Sequence, residues 1–393
     1  MPRRLDLPIA IVTPWWSAEP AGGAEFLARE IAGQLRDRGH AVEVLTTCGR
    51  SAFADWAVDA FEPGAVQENG LTVRRFRLDP RHADRFARHY QALTQGRWLG
   101  PAEEREFFAH GINSRALYRF IEEHRERYAF LFIPYLYGTT IYGVRAAAGR
   151  AVVIPCLHNE PFAYLAPVAE MMESARGLWF LTEPERDFAR TLFAIQHTRA
   201  EAIGVGMDFC GRGDGAAFRR RMGIDGPYLL FAGRRVPGKG FGLLQDYFAR
   251  FRVKHPNWTL VLAGLGGDLP NELPDGVRDI GCLERQTLWN AMAGADVFCQ
   301  PSLFESFSYV LMEAWVQGTP ALVNARCEVT RWQCERAGGG LWFGDEQEFE
   351  AALEFYERHP EIARAVGSQG AQYVATHLRW PEIMDRAEAL LAE

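Results

Sequence analysis

Short apolar runs that read as strands alternate with segments whose apolar residues recur at helical spacing, and the alternation is played out twice in 393 residues. The first series opens with PIAIVTPWW, a loop holding Gly22-Gly23, then AEFLAREIAGQLRDRG and HAVEVLTT. Phe26, Leu27, Ile31 and Leu35 repeat with a helical period and Gly39 closes the segment, so this is a strand–helix–strand unit, the building block of a parallel sheet. A turn at Glu68-Asn69-Gly70 leads into LTVRRFRL as a hairpin. Residues 81–125 predict two or three helices, after which strands recur near YAFLFIPYL, AVVIPCL, GLWFLT and AEAIGVG. The glycine-rich, charged stretch 207–226 reads as a junction. Beyond it YLLFAG, WTLVLAG, VRDIG, DVFCQPS and ALVN alternate with helices, and helices dominate from 345 onward. Two successive series predict an α/β chain of two doubly wound domains, residues 1–208 and 209–379. Ligands of such sheets bind at the carboxyl ends of the strands, so the informative loops are those that follow strands.

Composition narrows the partners. A net charge of −7 gives no reason to expect nucleic acid. Seven cysteines, odd in number and never in a C-x-x-C pair, argue against a disulfide framework and a zinc knuckle, and fit a reducing cytoplasm. The start, MPRRLDLPIAIVTPWW, lacks a small-residue cleavage site and no apolar run is long enough to span a bilayer, so the expectation is a soluble, cytoplasmic protein. Lysine occurs only at Lys239 and Lys254, against 41 arginines. Each lysine is therefore informative.

Four strand-end stretches carry candidate chemistry. In ESFSYVLMEAWVQGTPALV, residues 305–323, Glu305 falls at the start of a helix, where free N–H groups and the helix dipole favour negative charge. Glu313 is the only charged residue between Phe307 and Val323. Either it shares a narrow exposed stripe with Gln317, or it accepts hydrogen bonds from a bound group such as two vicinal ribose hydroxyls. FAGRRVPGKG, residues 231–240, offers Arg234, Arg235 and Lys239 from a glycine-rich turn, which suits a diphosphate or a solvated basic loop. It is not a P-loop, having no Gly-Lys-Ser/Thr ending. Gly22-Gly23 permits close backbone approach to a ligand or makes a tight turn. LHNEPF places His158 after a strand, as a structural histidine or a site residue. No two aspartates lie two apart, so the D-x-D pair that holds a divalent metal on a nucleotide sugar is missing; protein cations and helix ends would have to hold phosphates.

Together these stretches resemble the GT-B glycosyltransferases, specifically the retaining group numbered family four. GRRVPGKG is similar to that family's Gly-Arg-x-x-x-x-Lys-Gly loop, GCLERQTLWNAMAGADVFCQPS to its base-side loop, helix and strand, and ESFSYVLMEAWVQGTPALV to its Glu-x7-Glu motif. AGGAE and the LHN loop match in order, and LRWPEIMDRAEALLAE resembles the closing helix that returns to the first domain. The resemblance implies two facing Rossmann-like domains, with residues 380–393 packed on the first. It implies that Arg234 and Lys239 neutralise a donor pyrophosphate, with Gly22 and Gly23 bringing backbone N–H groups to it. Glu305 would hold sugar hydroxyls beside Ser306, Phe307 and Ser308, and Glu313 the ribose. His158 would lie by the reacting sugar, and Cys282 and Leu283 by the base. One departure stands out: the family often reads Glu-Gly-Phe-Gly where this chain has Glu305-Ser306-Phe307-Ser308.

The activity so implied is retaining, metal-independent transfer from a nucleoside diphosphate sugar, with no cofactor. The acceptor is a glycan, glycolipid or lipid-linked sugar in cell-surface polysaccharide synthesis at the inner face of the membrane, or else a small soluble molecule. Residues 81–110 are placed at the acceptor site, against a membrane surface, or on a solvated face. Of the other classes, a Rossmann-type oxidoreductase lacks its G-x-G-x-x-G, a phosphorylase-like enzyme would have only Lys254 for a Schiff base, and a silent nucleotide-sugar binder remains.

Overall fold

The computed structural model describes residues 7–17, 22–208, 211–266 and 273–392. The segment MPRRLD, Ala21 of AGGAE, and the second half of GLGGDL lie outside the described residues. Two compact units form: residues 1–205 with 380–393, and residues 206–379.

In the first unit β1 (Ile9–Val12), α1 (Gly23–Asp37) and β2 (Val42–Thr47) form the expected opening. The hairpin β3 (Gly64–Glu68) and β4 (Leu71–Phe76) follows, with Asn69 and Gly70 both at positive φ in its two-residue turn. Residues 81–125 make three helices, α2 (Ala83–Thr94), α3 (Pro101–Ala109) and α4 (Arg115–His124). Then come β5 (Ala129–Phe132), α5 (Gly138–Ala146), β6 (Ala151–Val153), α6 (Ala166–Ser174), β7 (Gly177–Phe180), α7 (Glu183–Leu192) and β8 (Arg199–Ala202). The sheet runs β3-β4-β2-β1-β5-β6-β7-β8, parallel throughout except for β3. Strands β1, β5, β6 and β7 (IAIV, AFLF, AVV, GLWF) are buried at every position, as strands covered by helices on both faces require.

The second unit begins with α8 (Gly215–Met222), inside the stretch that reads as a junction; Asp214 caps it and Gly223 ends it in the left-handed conformation. It continues through β9 (Tyr228–Ala232), α9 (Phe241–Lys254), β10 (Thr259–Ala263), β11 (Val277–Gly281), α10 (Arg285–Gly294), β12 (Val297–Gln300) and α11 (Tyr309–Val316). It closes with β13 (Ala321–Asn324), α12 (Glu328–Ala337), β14 (Gly340–Phe343), α13 (Glu346–Arg358) and α14 (Pro360–His377). This sheet is wholly parallel, β11-β10-β9-β12-β13-β14. Among the described residues, no helix is long and apolar enough to cross a membrane.

The last helix, α15 (Trp380–Leu391), belongs to the first unit. Glu388 is buried there, with Oε1 2.6 Å from Arg38 Nε and 2.9 Å from His40 Nε2, while Arg38 also pairs with Asp385. Arg199 and Arg386 add hydrogen bonds to the backbone of Ala389 and Ala202, 3.0 and 2.8 Å. Burial opposes ionisation of Glu388, but Arg38 and His40 outweigh it and hold the carboxyl below its ordinary 4.5. Removing one partner of a buried pair costs about 3–5 kcal/mol, so Glu388→Ala is expected to melt well below the parent chain. In the acid range the unfolded chain binds the proton more readily than the folded one. The stability that Glu388 contributes is therefore full above 4.5 and disappears as pH falls through the lower folded value. Melting curves from pH 7 to pH 3 should show a smaller acid-induced drop in Glu388→Gln; equal drops would remove this role.

Candidate active site

In the six-stranded sheet the chain runs outward from β9 through β10 to β11, then returns to place β12 on the other side of β9. Such a reversal opens a crevice at the carboxyl ends of the two strands. The loops bounding it are 233–240 after β9 and 301–308 after β12, and the backbone ties them together. Leu303 N–H donates to Gly238 O at 3.0 Å. Gly240, at φ +67°, lies so close to Pro301 that an added Cβ would fall 2.0 Å from the Pro301 carbonyl oxygen. Glycine is obligatory there on both counts.

These tied loops bring Lys239 against Glu305, Nζ to Oε1 2.5 Å, with side chains 27% and 9% exposed. Gln300, at the end of β12, donates from Nε2 to the same Oε1 at 2.7 Å. Its Oε1 accepts from Ser308 Oγ at 2.7 Å, and Ser308 Oγ in turn accepts the Leu311 N–H as the cap of α11. Ser308 stands at φ +82°, a left-handed conformation that glycine adopts freely and serine adopts at a cost of order 1–3 kcal/mol. The departure from Glu-Gly-Phe-Gly therefore falls where the backbone favours glycine, and the serine there gains a cap and a bond to Gln300. Ser306 and Phe307, between the two, are buried.

Of the three cations in the loop, Arg234 is exposed and Arg235 is buried, paired with Asp279 and donating to Gly264 O at 2.9 Å. Arg235 thus braces β11, and only Arg234 and Lys239 stay with the loop's outer surface. Glu313 is held from α10: its Oε1 accepts from Arg285 Nε at 3.1 Å and Trp289 Nε1 at 3.4 Å. Oε2 makes no hydrogen bond among the described residues. Burial pushes this carboxyl up against the pull of Arg285 and Trp289. Cys282, exposed, and Leu283, half-buried, lie in the turn that feeds α10, so the sequence brings the proposed base-side loop and Glu313 to one helix. Glu305 and Glu313 answer to different cations, Lys239 and Arg285.

A cavity of about 460 Å³ opens beside the loop, lined by Val236, Pro237, Phe241, Leu243, Tyr247 and Leu303 among others, and reaches none of Lys239, Glu305 and Glu313. Among the described residues one set, His255, Glu350 and Glu354, has ligand atoms within 4.8 Å of each other, the spacing of a metal site. It sits past the far end of the 14-residue α9, about 21 Å of helix from Lys239. Lys254 and Arg358 already pair with its two carboxylates.

In the first unit Gly22 caps α1 with extended backbone, and an added Cβ at Gly22 or Gly23 would meet nothing within 4 Å. Neither a tight turn nor packing among the described residues calls for glycine there. His158 follows β6, its Nδ1 3.4 Å from Glu160 Oε1, and Tyr135 donates to that same oxygen at 2.7 Å. Burial works against the Glu160 carboxylate, but His158 and Tyr135 hold its pKa below the usual range. Behind this loop lies a residue the sequence analysis missed. Glu185, fully buried, accepts from Leu157 N–H and Leu181 N–H at 2.6 Å each, and so clamps the backbone next to His158. Desolvation raises its pKa to about 8 despite these amides. The signal was present as Thr182-x-x-Glu185, a capping-box spacing, although Glu185 here reaches past its own cap.

Residues 217–373 match the family described as Glycosyl transferases group 1. The chain is 28% identical over 343 residues to a D-inositol 3-phosphate glycosyltransferase of Kribbella flavida, covering 78% of this chain and 75% of that protein. Among solved structures, a sucrose-phosphate synthase from Thermosynechococcus elongatus superposes with a TM-score of 0.73 at 17% identity, over 98% of both chains. HepE from Anabaena, solved in complex with UDP, gives 0.71 at 18% identity over 98% of this chain and 100% of that one. These structural likenesses speak for the fold, and the match at 217–373 covers both loops of the β9–β12 crevice and the whole of α11. The chain has the GT-B fold, and its residues 217–373 are similar to the group 1 glycosyl transferases.

Proposed function

We propose that this chain is a retaining, metal-independent glycosyltransferase that moves a sugar from a nucleoside diphosphate sugar to an acceptor hydroxyl, without a cofactor. One observation carries the reading: Lys239 and Glu305 meet at the β9–β12 switch point, with Glu313 on the helix that follows. Lys239 and Arg234 neutralise the diphosphate. Glu305 holds sugar hydroxyls, the free Oε2 of Glu313 takes a ribose hydroxyl, and Cys282 and Leu283 flank the base. For Gly22, Gly23 and His158 of the first unit the roles are those that the resemblance implies, backbone N–H groups for a phosphate and an imidazole, steadied by Glu160, for the sugar. The glycosidic C–O bond to the diphosphate breaks as the acceptor oxygen bonds to the same face, and the acceptor proton leaves to a phosphate oxygen. Charge gathers on the leaving group in the transition state, so fixed cations stabilise it more than the ground state. The acceptor belongs to cell-surface polysaccharide or glycolipid synthesis at the cytoplasmic face of the membrane, with a soluble acceptor as the second reading.

UDP is the first probe, since the Anabaena relative was solved with it. At a hundred times its Kd, a ligand stabilises the fold by about 2.7 kcal/mol. A thermal-shift series of UDP, GDP, ADP, dTDP and NAD, without metal, is expected to give a shift with one nucleoside diphosphate that Glu313→Ala abolishes. A shift with NAD alone would sink the transferase reading.

Lys239→Ala and Arg234→Ala should each lower kcat by ~10²–10³. Because Lys239 also neutralises the nearly buried Glu305, its variant is to be checked for unchanged secondary structure before rates are compared. Excess EDTA is expected to leave turnover intact; loss restored by Mg²⁺ or Mn²⁺ would contradict the metal-free site.

A further inference from the structure

An ionised carboxylate only accepts hydrogen bonds, and that fixes every direction in the line of side chains behind Glu305. Gln300 must turn its amide N–H to Glu305 Oε1, 2.7 Å away, which leaves its own Oε1 facing Ser308. The Ser308 hydroxyl then donates its proton to Gln300, so a lone pair of Oγ takes the Leu311 N–H in the first turn of α11. The donors therefore run in one order, from Leu311 to Ser308 to Gln300 to Glu305. Gln300 and Ser308 are both buried, so water does not replace either link when it is lost.

The two side chains that meet Glu305 Oε1 differ in kind. Lys239 comes from the loop 233–240 on a flexible four-carbon stem and is partly exposed. Gln300 is the last residue of β12 and pairs with Val323 of β13, so its amide projects from the sheet itself. Just beyond it, Asn324 at the end of β13 donates to the Pro301 carbonyl at 3.2 Å and ties down the start of the loop that carries Glu305. The lysine is thus built to turn, and the amide to stay. The sequence bears the same mark. Ser308 holds φ +82°, where the family it resembles often reads glycine, the residue that adopts this backbone freely. Glycine has no hydroxyl to offer Gln300, so the strained serine and the glutamine belong together.

We propose that Gln300 and Ser308 are positioning residues for the donor sugar. Anchored by Ser308, the Gln300 amide keeps hold of Glu305 Oε1 after Lys239 has turned to the diphosphate, and so aims the carboxylate at sugar hydroxyls. Both act through Glu305, and they serve the sugar rather than the nucleotide. The assignment rests on the transferase reading of the chain.

Calorimetric titration of the purified full-length chain, without metal, tests it. UDP, GDP, ADP and dTDP are each compared with a sugar conjugate: UDP-glucose, UDP-galactose, GDP-mannose, ADP-glucose and dTDP-glucose. Gln300→Leu is similar in size and has no amide. It is expected to weaken the conjugate that the unmodified chain binds by about ten- to a hundredfold, the loss of a hydrogen bond to a charged group. The bare diphosphate of the same base should bind as before. Ser308→Gly relieves the left-handed serine and should weaken the conjugate in the same selective way, though less, because Gln300 remains. The double variant should bind the conjugate no more weakly than Gln300→Leu alone, since Ser308 reaches the sugar only through Gln300. A merely structural role would weaken diphosphate and conjugate alike. Equal losses for the two ligands overturn the proposal, as does unchanged conjugate binding in variants that melt normally. If Gln300→Leu does not fold, Ser308→Gly decides by the same comparison. If the unmodified chain binds neither diphosphate nor conjugate, the transferase reading falls and the proposal with it, so the unmodified chain tells the two failures apart.

Discussion

The contact between Lys239 and Glu305 is the constraint around which the second unit is arranged. A carboxylate only 9% exposed must find compensation for its lost water, and it finds a cation from one loop and an amide from the strand beside it. That requirement fixes the distance between two loops far apart in sequence. Gly240 under Pro301 and the Leu303–Gly238 hydrogen bond are the backbone's part of the same arrangement. In the proposed reading a diphosphate does not simply arrive at a vacant lysine. It competes with Glu305 for Lys239, and as the lysine turns toward phosphate, Glu305 is released to accept from sugar hydroxyls. One ion pair thus couples recognition of the two ends of the bond that breaks.

The same logic explains why Ser308 tolerates a backbone that suits glycine. Ser308, Gln300 and Glu305 form a hydrogen-bonded line from the cap of α11 to Lys239. Strain at one residue is offset by order in the next three. A glycine at 308 would relax the backbone but leave Gln300 Oε1 without its donor, and Gln300 is what aims an N–H at Glu305. The cost of the left-handed serine is therefore tied to the orientation of the carboxylate eight residues before Glu313.

Much of this was legible in the sequence because parallel sheets write plainly. Runs such as IAIV, AFLF, YLLFA and TLVLA have no polar alternation, since both their faces are covered. Glu313 stood out because a lone charge in an apolar helix must have a reason. What it could not reveal was that the immediate partners would be Arg285 and Trp289, which approach through α10 from 28 and 24 residues away. Nor could adjacency tell Arg234 from Arg235. In the loop after β9 one side chain stays exposed and the other reaches Asp279 on β11, two strands away. β14 was hidden because Gly338, Gly339 and Gly340 make its start look like a turn. In fact side chains are excluded there, since a Cβ at Gly339 would strike Trp315 at 2.6 Å and one at Gly340 would strike Ala321 O at 2.7 Å. α8 was masked in the same way by the glycines around it, although Asp214 and Gly223 are an ordinary cap and stop.

Arginine is used in two ways in a chain with almost no lysine. In the second unit, Arg219, Arg235 and Arg285 each have a carboxylate partner, and each binds one element to another. In the first, Arg38 does the same for α15. Arg81 departs from this rule: it sits on two rings, without an acid of its own. An arginine that braces two elements differs from one seated on rings in the partners that the fold brings to it. Composition cannot separate the two, because the genetic bias toward arginine supplies both. The separation comes from the fold, which brings Asp279 to Arg235 across the sheet and brings only Trp56 and Phe86 to within stacking distance of Arg81.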